Sequence, residues 1–243
     1  DSSYPFDQVQ LTDNYIVLKT AIELERFNFV LLLLTMQVPF EFISRNMDRA
    51  LKCSHMYFEY FGSKKAEMAY IYIFNVFYDG LINFHFAGRT GDARYRERGE
   101  NALSQLREWL RHSDWNFQNK LFLVNAEYYK ITNDFANAAT CYDASIQAAK
   151  EHKFIHEEAM AHELAARFYL ELGSRQRSYS HFNQSVACYR KWGAPVIARR
   201  IEVTMEQVFS MDIIMPSLPS EDFLTPSELR ELPNSNALHN NTH

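Results

Sequence analysis

Breakers are scarce in this chain of 243 residues: it has 7 Gly and 7 Pro, and four of the prolines come after Met215. The body before that point lacks the frequent turns of a β-sandwich and can sustain long helices. Cysteine is also sparse. Cys53, Cys141 and Cys188 are odd in number and widely spaced in helical pattern, which excludes a disulfide framework and reads as small apolar residues in a reducing, cytoplasmic compartment. No positively charged start leads into an apolar stretch with a small-residue cleavage site, so no secretory leader is read. Positive charge is not in excess. A net charge of −5 gives no field suited to a phosphate backbone, and nucleic acid is not expected as a partner. Apolar runs are short: within Phe27–Phe40 the unbroken core is Phe29–Leu34, far below the roughly 20 residues that cross a bilayer. No membrane insertion is expected, and the segment reads as a buried helix of the first helical pair.

What is abundant is apolar and aromatic material, 47% and 15% of the residues, enough for an extended helical core. Apolar spacing and breakers place helices at roughly 8–36, 40–61, 65–87, 92–113, 117–132, 135–152, 155–172, 175–192 and 194–210. Pro39 is expected to end the first, Gly62 and Gly88 the second and third, Asn133–Asp134 and Gly173 later ones. Short links between successive helices favour antiparallel hairpins.

The chain also repeats itself. At an offset of roughly 40, Ala126 meets Ala166, Tyr129 meets Tyr169, Tyr142 meets Phe182 and Ile146 meets Val186. Phe122, Ala126 and Tyr129 share one helix face and Ala138, Tyr142 and Ile146 share a face of the next, small residues admitting close approach while aromatics fill the space. In the following hairpin Ala166 and Tyr169 oppose Phe182 and Val186, and the run closes on Trp192. The expected fold is all-α: a right-handed superhelix of about four antiparallel hairpins plus a terminal helix, an α-solenoid.

A small residue and Tyr on the first helix, then Tyr or Phe and an aliphatic on the second, resembles the tetratricopeptide (TPR) pattern. The period exceeds that family's 34 residues, Ser178 stands where it has Ala, and its proline between repeats is missing, so the chain is TPR-like. The wording of NKLFLVNAEYYKITNDFANAATCYDASIQAAKE, FIHEEAMAHELAARFYLELG and ACYRKWGA resembles more closely the helical region after the AAA-type ATPase module in multidomain serine/threonine and hybrid histidine kinases, from about Ala66 to Glu202. This resemblance implies a non-catalytic coupling scaffold in an intracellular signalling protein, with neighbouring domains or a protein or peptide as partners. No kinase catalytic loop, P-loop or phosphoacceptor-histidine segment occurs in these residues, so the parent family's activities are not carried over. The alternative is a stand-alone TPR-like adaptor that binds a partner peptide in a concave groove.

The organisation read from the sequence is an N-terminal hairpin at 1–63, TPR-like repeats with a capping helix at 64–210, and a Pro/Ser/Asn-rich tail at 211–243. Within the tail, Thr225, Pro226 and Glu228 form a capping box for a short helix at 226–232. It reads either as a transient turn or as a docking peptide anchored by Phe223, Leu224, Leu229 and Leu232, with Thr225 as its regulatory phosphorylation site.

No catalytic constellation or cofactor site is read. His156 and His162 are six residues apart, about 600° of helix rotation, so they do not share the face that an i, i+4 zinc pair needs. His162 falls at the packing position that matches Phe122 and reads as a core or groove histidine. Arg89 and Arg94 lie in a mixed-charge stretch, DARYRERGE and the residues before it, that is either a solvated face or a surface for an acidic partner. Leu123, Glu127, Glu163 and Arg167 occupy the inner-helix positions of the TPR register, which lack the Lys/Asn set that grips a peptide carboxylate; Glu127, His162 and Arg167 are retained as partner-binding candidates.

Overall fold

The computed structural model describes the backbone of residues 17–63 and 69–210 and the side chains of residues 17–59 and 72–210. All regular structure among them is helical: α1 (17–23), α2 (Phe27–Ile43), α3 (Met47–Ser63), α4 (Ala69–Thr90), α5 (Ala93–Leu110), α6 (Asp114–Ile131), α7 (Phe135–Glu151), α8 (Ile155–Glu171), α9 (Arg175–Trp192) and α10 (Pro195–Phe209).

The helix ends follow a rule that residue identity hides. Asn133, Lys153, Gly173 and Gly193 all have φ between 59° and 90°, and they recur every twenty residues. After each, the next amide reaches back five residues to a carbonyl of the last turn, as in Asp134 to Tyr129, Phe154 to Ala149, Ser174 to Tyr169 and Ala194 to Tyr189, all at 2.9 Å. This is the Schellman closure, in which a left-handed residue lets the chain satisfy orphan carbonyls and reverse. Glu25 and Arg45 repeat the device with the same spacing. Glu25 therefore breaks the expected helix 8–36 at residues 24–26, where no glycine, proline or asparagine marks a turn.

Two expected breaks are corrected. Pro39 lies inside α2, whose helix continues to Ile43. Its missing donor costs the Thr35 carbonyl one bond, but Leu34, Val38 and Phe42 are fully buried on either side, and tertiary packing outweighs the local penalty. Gly88 is likewise interior to α4. A Cβ there would sit 3.1 Å from Ile131 Cγ2, so this glycine admits α6, and the left-handed turn falls to Gly91. Gly62 lies within α3.

The chain divides into two compact units, residues 1–82 and 83–243, the division falling in the sequence of α4. In the first, Val30, Leu31 and Leu34 of α2 bury with Leu18, Ala21 and Tyr57. Polar bonds fix the register: Ser54 Oγ donates to Asp79 Oδ1 at 2.5 Å, and Asn75 Nδ2 donates to Thr35 Oγ1 at 3.1 Å. The segment Phe27–Phe40 is only half the buried helix expected. Its other face carries Phe29, Leu32, Met36 and Phe40 at 46 to 67% exposure.

In the second unit each of α5 to α9 packs on the helix that follows it, with α6 also touching α8. The 40-residue register appears here as geometry. Ser145 Oγ donates to the carbonyl of Asn119 at 2.8 Å, and forty residues on Ser185 Oγ donates to the carbonyl of Ala159 at 2.7 Å. Ala126 and Ala166 are fully buried, as are Ala138, Tyr142, Phe182 and the Ser178 that stands for alanine; Tyr169 and Val186 are buried, while Phe122, Tyr129 and Ile146 are half-buried. One substitution is compensated. Tyr142 donates to the buried Glu127 at 2.5 Å, and at the equivalent site Phe182, lacking the hydroxyl, lies beneath Arg167, whose guanidinium is 5.9 Å from the ring centre. The close approach at Ala166 makes a sharp test: Ala166→Trp is expected to cost about 1 to 3 kcal/mol by overpacking, read as a lowered thermal midpoint, and an unchanged midpoint would show that the face has been misassigned.

Candidate interaction surfaces

The candidates for a peptide groove on the first helix of each hairpin turn out to be occupied from within. Glu127 is buried under Tyr142, whose hydroxyl is held well above its ordinary pKa by burial and by the adjacent carboxylate. Glu163 is buried between two arginines: Arg167 Nη2 donates to it at 2.8 Å, and Arg200 of α10 clamps both oxygens at 2.9 and 2.6 Å. Glu127 and Arg167 thus serve internal pairs, one with Tyr142 on the facing helix of the same hairpin and one with Glu163 a turn back on α8, a use of charge that apolar periodicity does not reveal.

His162 also has an internal partner. Its Nδ1 lies 3.0 Å from Nδ1 of His181 on α9, one ring donating and the other accepting, and Tyr169 stacks on His181 with centroids 5.3 Å apart. Burial, reinforced for His162 by His181 and Lys150 and for His181 by Arg177, pushes both imidazoles down to about 4. His156 is elsewhere, stacked on Trp192 at 5.1 Å. Among the described residues no three His, Cys, Asp or Glu side chains gather as metal donors.

A second buried carboxylate, Glu157, accepts from Lys120 Nζ at 2.8 Å and from the Asn119 amide, linking α6 to α8. Lys120 also caps the Asn116 carbonyl at 3.0 Å and lies 4.6 Å from the Phe154 ring centre. His156 Nε2 is 3.5 Å from the other oxygen of Glu157. This cluster escapes sequence reading because its charges lie 37 residues apart; the one available signal is a Lys and a Glu at neighbouring register positions of two first helices. Trp192, expected to close the packing, is 47% exposed and covers His156 from outside.

Arg89 and Arg94 are exposed at the α4–α5 turn. Arg94 is engaged by its own helix cap: its Nε and Nη2 grip the Asp92 carboxylate at 3.0 and 2.6 Å, and Asp92 accepts the Arg94 amide at 2.9 Å, which holds that carboxyl below its usual range. Arg89 lies 5.7 Å from the Phe86 ring centre. Nearby Gly99 is buried against Phe84, where a Cβ would come within 2.5 Å of a ring carbon. The three cysteines are free and half-buried, and burial raises each thiol to about 11, leaving them protonated and poorly nucleophilic at neutral pH. Thr225 and the segment 226–232 lie outside the described residues.

Among the described residues of the second unit, a groove of about 860 Å³ lies between α9 and α10. Val186 and Met205 form its floor with Tyr179 and Phe209, whose rings meet edge to face at 5.3 Å. Its rim is charged: Arg190 pairs with Glu202, Arg199 with Glu206 at 2.9 Å, and Arg175 lies over Phe209 at 5.1 Å. No helix among the described residues is long and apolar enough to cross a membrane. The chain matches no family model, no curated protein and no solved structure.

Proposed function

We propose that this chain is a non-catalytic scaffold of stacked, TPR-like helical hairpins that couples neighbouring modules of an intracellular signalling protein of the kinase/ATPase type. The observation that carries the scaffold reading is the recurrence of one hydroxyl-to-carbonyl bond, Ser145 to Asn119 and Ser185 to Ala159, at the offset of the sequence repeat. Each hairpin is closed by the same bond between its two helices and so shifts as a unit, and a partner that prefers one arrangement of neighbouring units biases the next. The buried ion pairs that bridge successive first helices, Lys120 to Glu157, and Glu163 to Arg200 of α10, support the same reading. The resemblance of residues 66–202 to the region after an AAA-type ATPase supplies the kinase setting.

The test is the gene. Read on both sides of these residues, it is expected to encode a P-loop ATPase module before them and a sensor, cyclase or phosphoacceptor-histidine segment after them. In that longer protein, nucleotide binding is expected to change amide hydrogen exchange in α6 to α9; unchanged exchange would overturn the coupling role. Turnover of ATP by the 243 residues alone would overturn the non-catalytic reading altogether.

The apolar floor and charged rim of the α9–α10 groove favour a second reading, an adaptor that holds a partner peptide.

A further inference from the structure

By the 40-residue register, α10 is the successor of α8, yet it is covered far less. Met160, Glu163, Leu164 and Ala166 of α8 are buried, whereas their counterparts Arg200, Val203, Thr204 and Glu206 are not. The cause is the helix that follows. Next to α8 lies α9, at 175–192, and the same offset places the missing cover for α10 at residues 215–232 of this chain, outside the described residues. That stretch does not copy α9: the buried positions Ser178, Phe182, Ser185, Val186 and Tyr189 map to Leu218, Asp222, Thr225, Pro226 and Leu229, of which only the two leucines suit a full-length helix packed in the same way.

We propose that a shorter segment of the chain, Phe223–Leu232, docks in cis in the groove between α9 and α10. Its sequence is prepared for one helical turn and more. In that turn Thr225 would be the N-cap, Pro226 the first helical residue and Glu228 the return partner, with Leu224 and Leu229 spaced for a hydrophobic staple. Leu229 and Leu232 then share a face, three residues apart. Charge agrees in sign: within the segment Glu228 and Glu231 outnumber Arg230, and Arg175, Arg190 and Arg199 outnumber Glu202 and Glu206 at the groove. Reach is sufficient. Ser210, the last described residue, is itself part of the groove wall, and the twelve residues before Phe223 span up to ~40 Å. The inference goes beyond the scaffold reading and holds whether or not the chain couples a kinase.

The full chain tests it by methyl NMR with Val186 and Met205 as reporters. Cross-peaks from the Leu229 and Leu232 methyls to these two are expected, and L229D/L232D, which alters no described contact, is expected to abolish them and shift both reporters. A synthetic peptide of residues 220–233 is then expected to bind the L229D/L232D chain roughly ten-fold more tightly than the native chain, where the tethered segment competes. Reporter shifts untouched by L229D/L232D, or equal peptide affinity for both chains, would overturn the proposal. Reporter shifts that change with protein concentration would overturn it in favour of a second copy in the groove.

Discussion

Replacing Lys120 with alanine is expected to cost about 3 to 5 kcal/mol of unfolding free energy. Glu157 is buried and draws its compensation from three groups: the Lys120 ammonium, the Asn119 amide and, more distantly, His156. Without Lys120 the carboxylate keeps one neutral donor, and an amide does not replace the Coulombic term of an ammonium 2.8 Å away. His156 shapes the pH dependence of the loss. Its pKa is lowered by burial, raised by Glu157 and lowered by Lys120, so deleting the lysine raises it, and the protonated ring can take over part of the pairing. The penalty should therefore be smaller at pH 6 than at pH 8. Urea midpoints of the native chain, K120M, E157L and K120M/E157L complete a cycle beside K120A, with the double replacement expected to recover most of the stability lost by the single lysine change, since removing both charges leaves none unpaired. A loss below about 1 kcal/mol in K120A would mean that Glu157 is hydrated and the α6–α8 bridge contributes little.

The bridge also shows where sequence reading stopped. Offsets between Ala126 and Ala166 or Tyr142 and Phe182 were legible because small and aromatic residues are constrained by the space between helices, and that space repeats. The twenty-residue recurrence of left-handed turns was legible only in part. Gly173 announces such a turn, but Glu25, Arg45 and Lys153 adopt the same φ with side chains that carry no turn signal, because the Schellman bonds and the packing of the helices on either side repay the strain. Pro39 misled in the opposite direction: its local cost is real, yet the burial of Val38 and Phe42 exceeds it. The candidate sites fared differently from the fold. Glu127, His162 and Arg167 were singled out as polar residues at inner positions, and each has a partner on another helix or on the next turn, Tyr142, His181 and Glu163. Pairing of that kind depends on rotamers and helix rotation, which periodicity leaves undetermined.

That pairing gives the protein an acid limit. In the folded chain His162 and His181 titrate near 4, against 6.5 for an open imidazole, because their burial disfavours a cation, and Lys150 and Arg177 add like charge from α7 and from α9 itself. Tyr169, which stacks on His181, brings no negative charge at these pH values. The unfolded chain therefore binds protons below pH 6.5 that the folded chain refuses, and stability present above 6.5 is lost as pH falls towards 4. One imidazole lowered from 6.5 to about 4 accounts for about 3 kcal/mol; the second adds less, because the two rings share one bond and the first proton already breaks it. H162N/H181N, which keeps a neutral donor and acceptor at the contact, isolates this term from the carboxylates that titrate in the same range. Chemical denaturation at pH 7 and pH 4.5 is expected to show the native chain losing about 2 to 3 kcal/mol more than the double variant. Parallel losses would place both imidazoles in contact with solvent and remove the pair as the seam between α8 and α9.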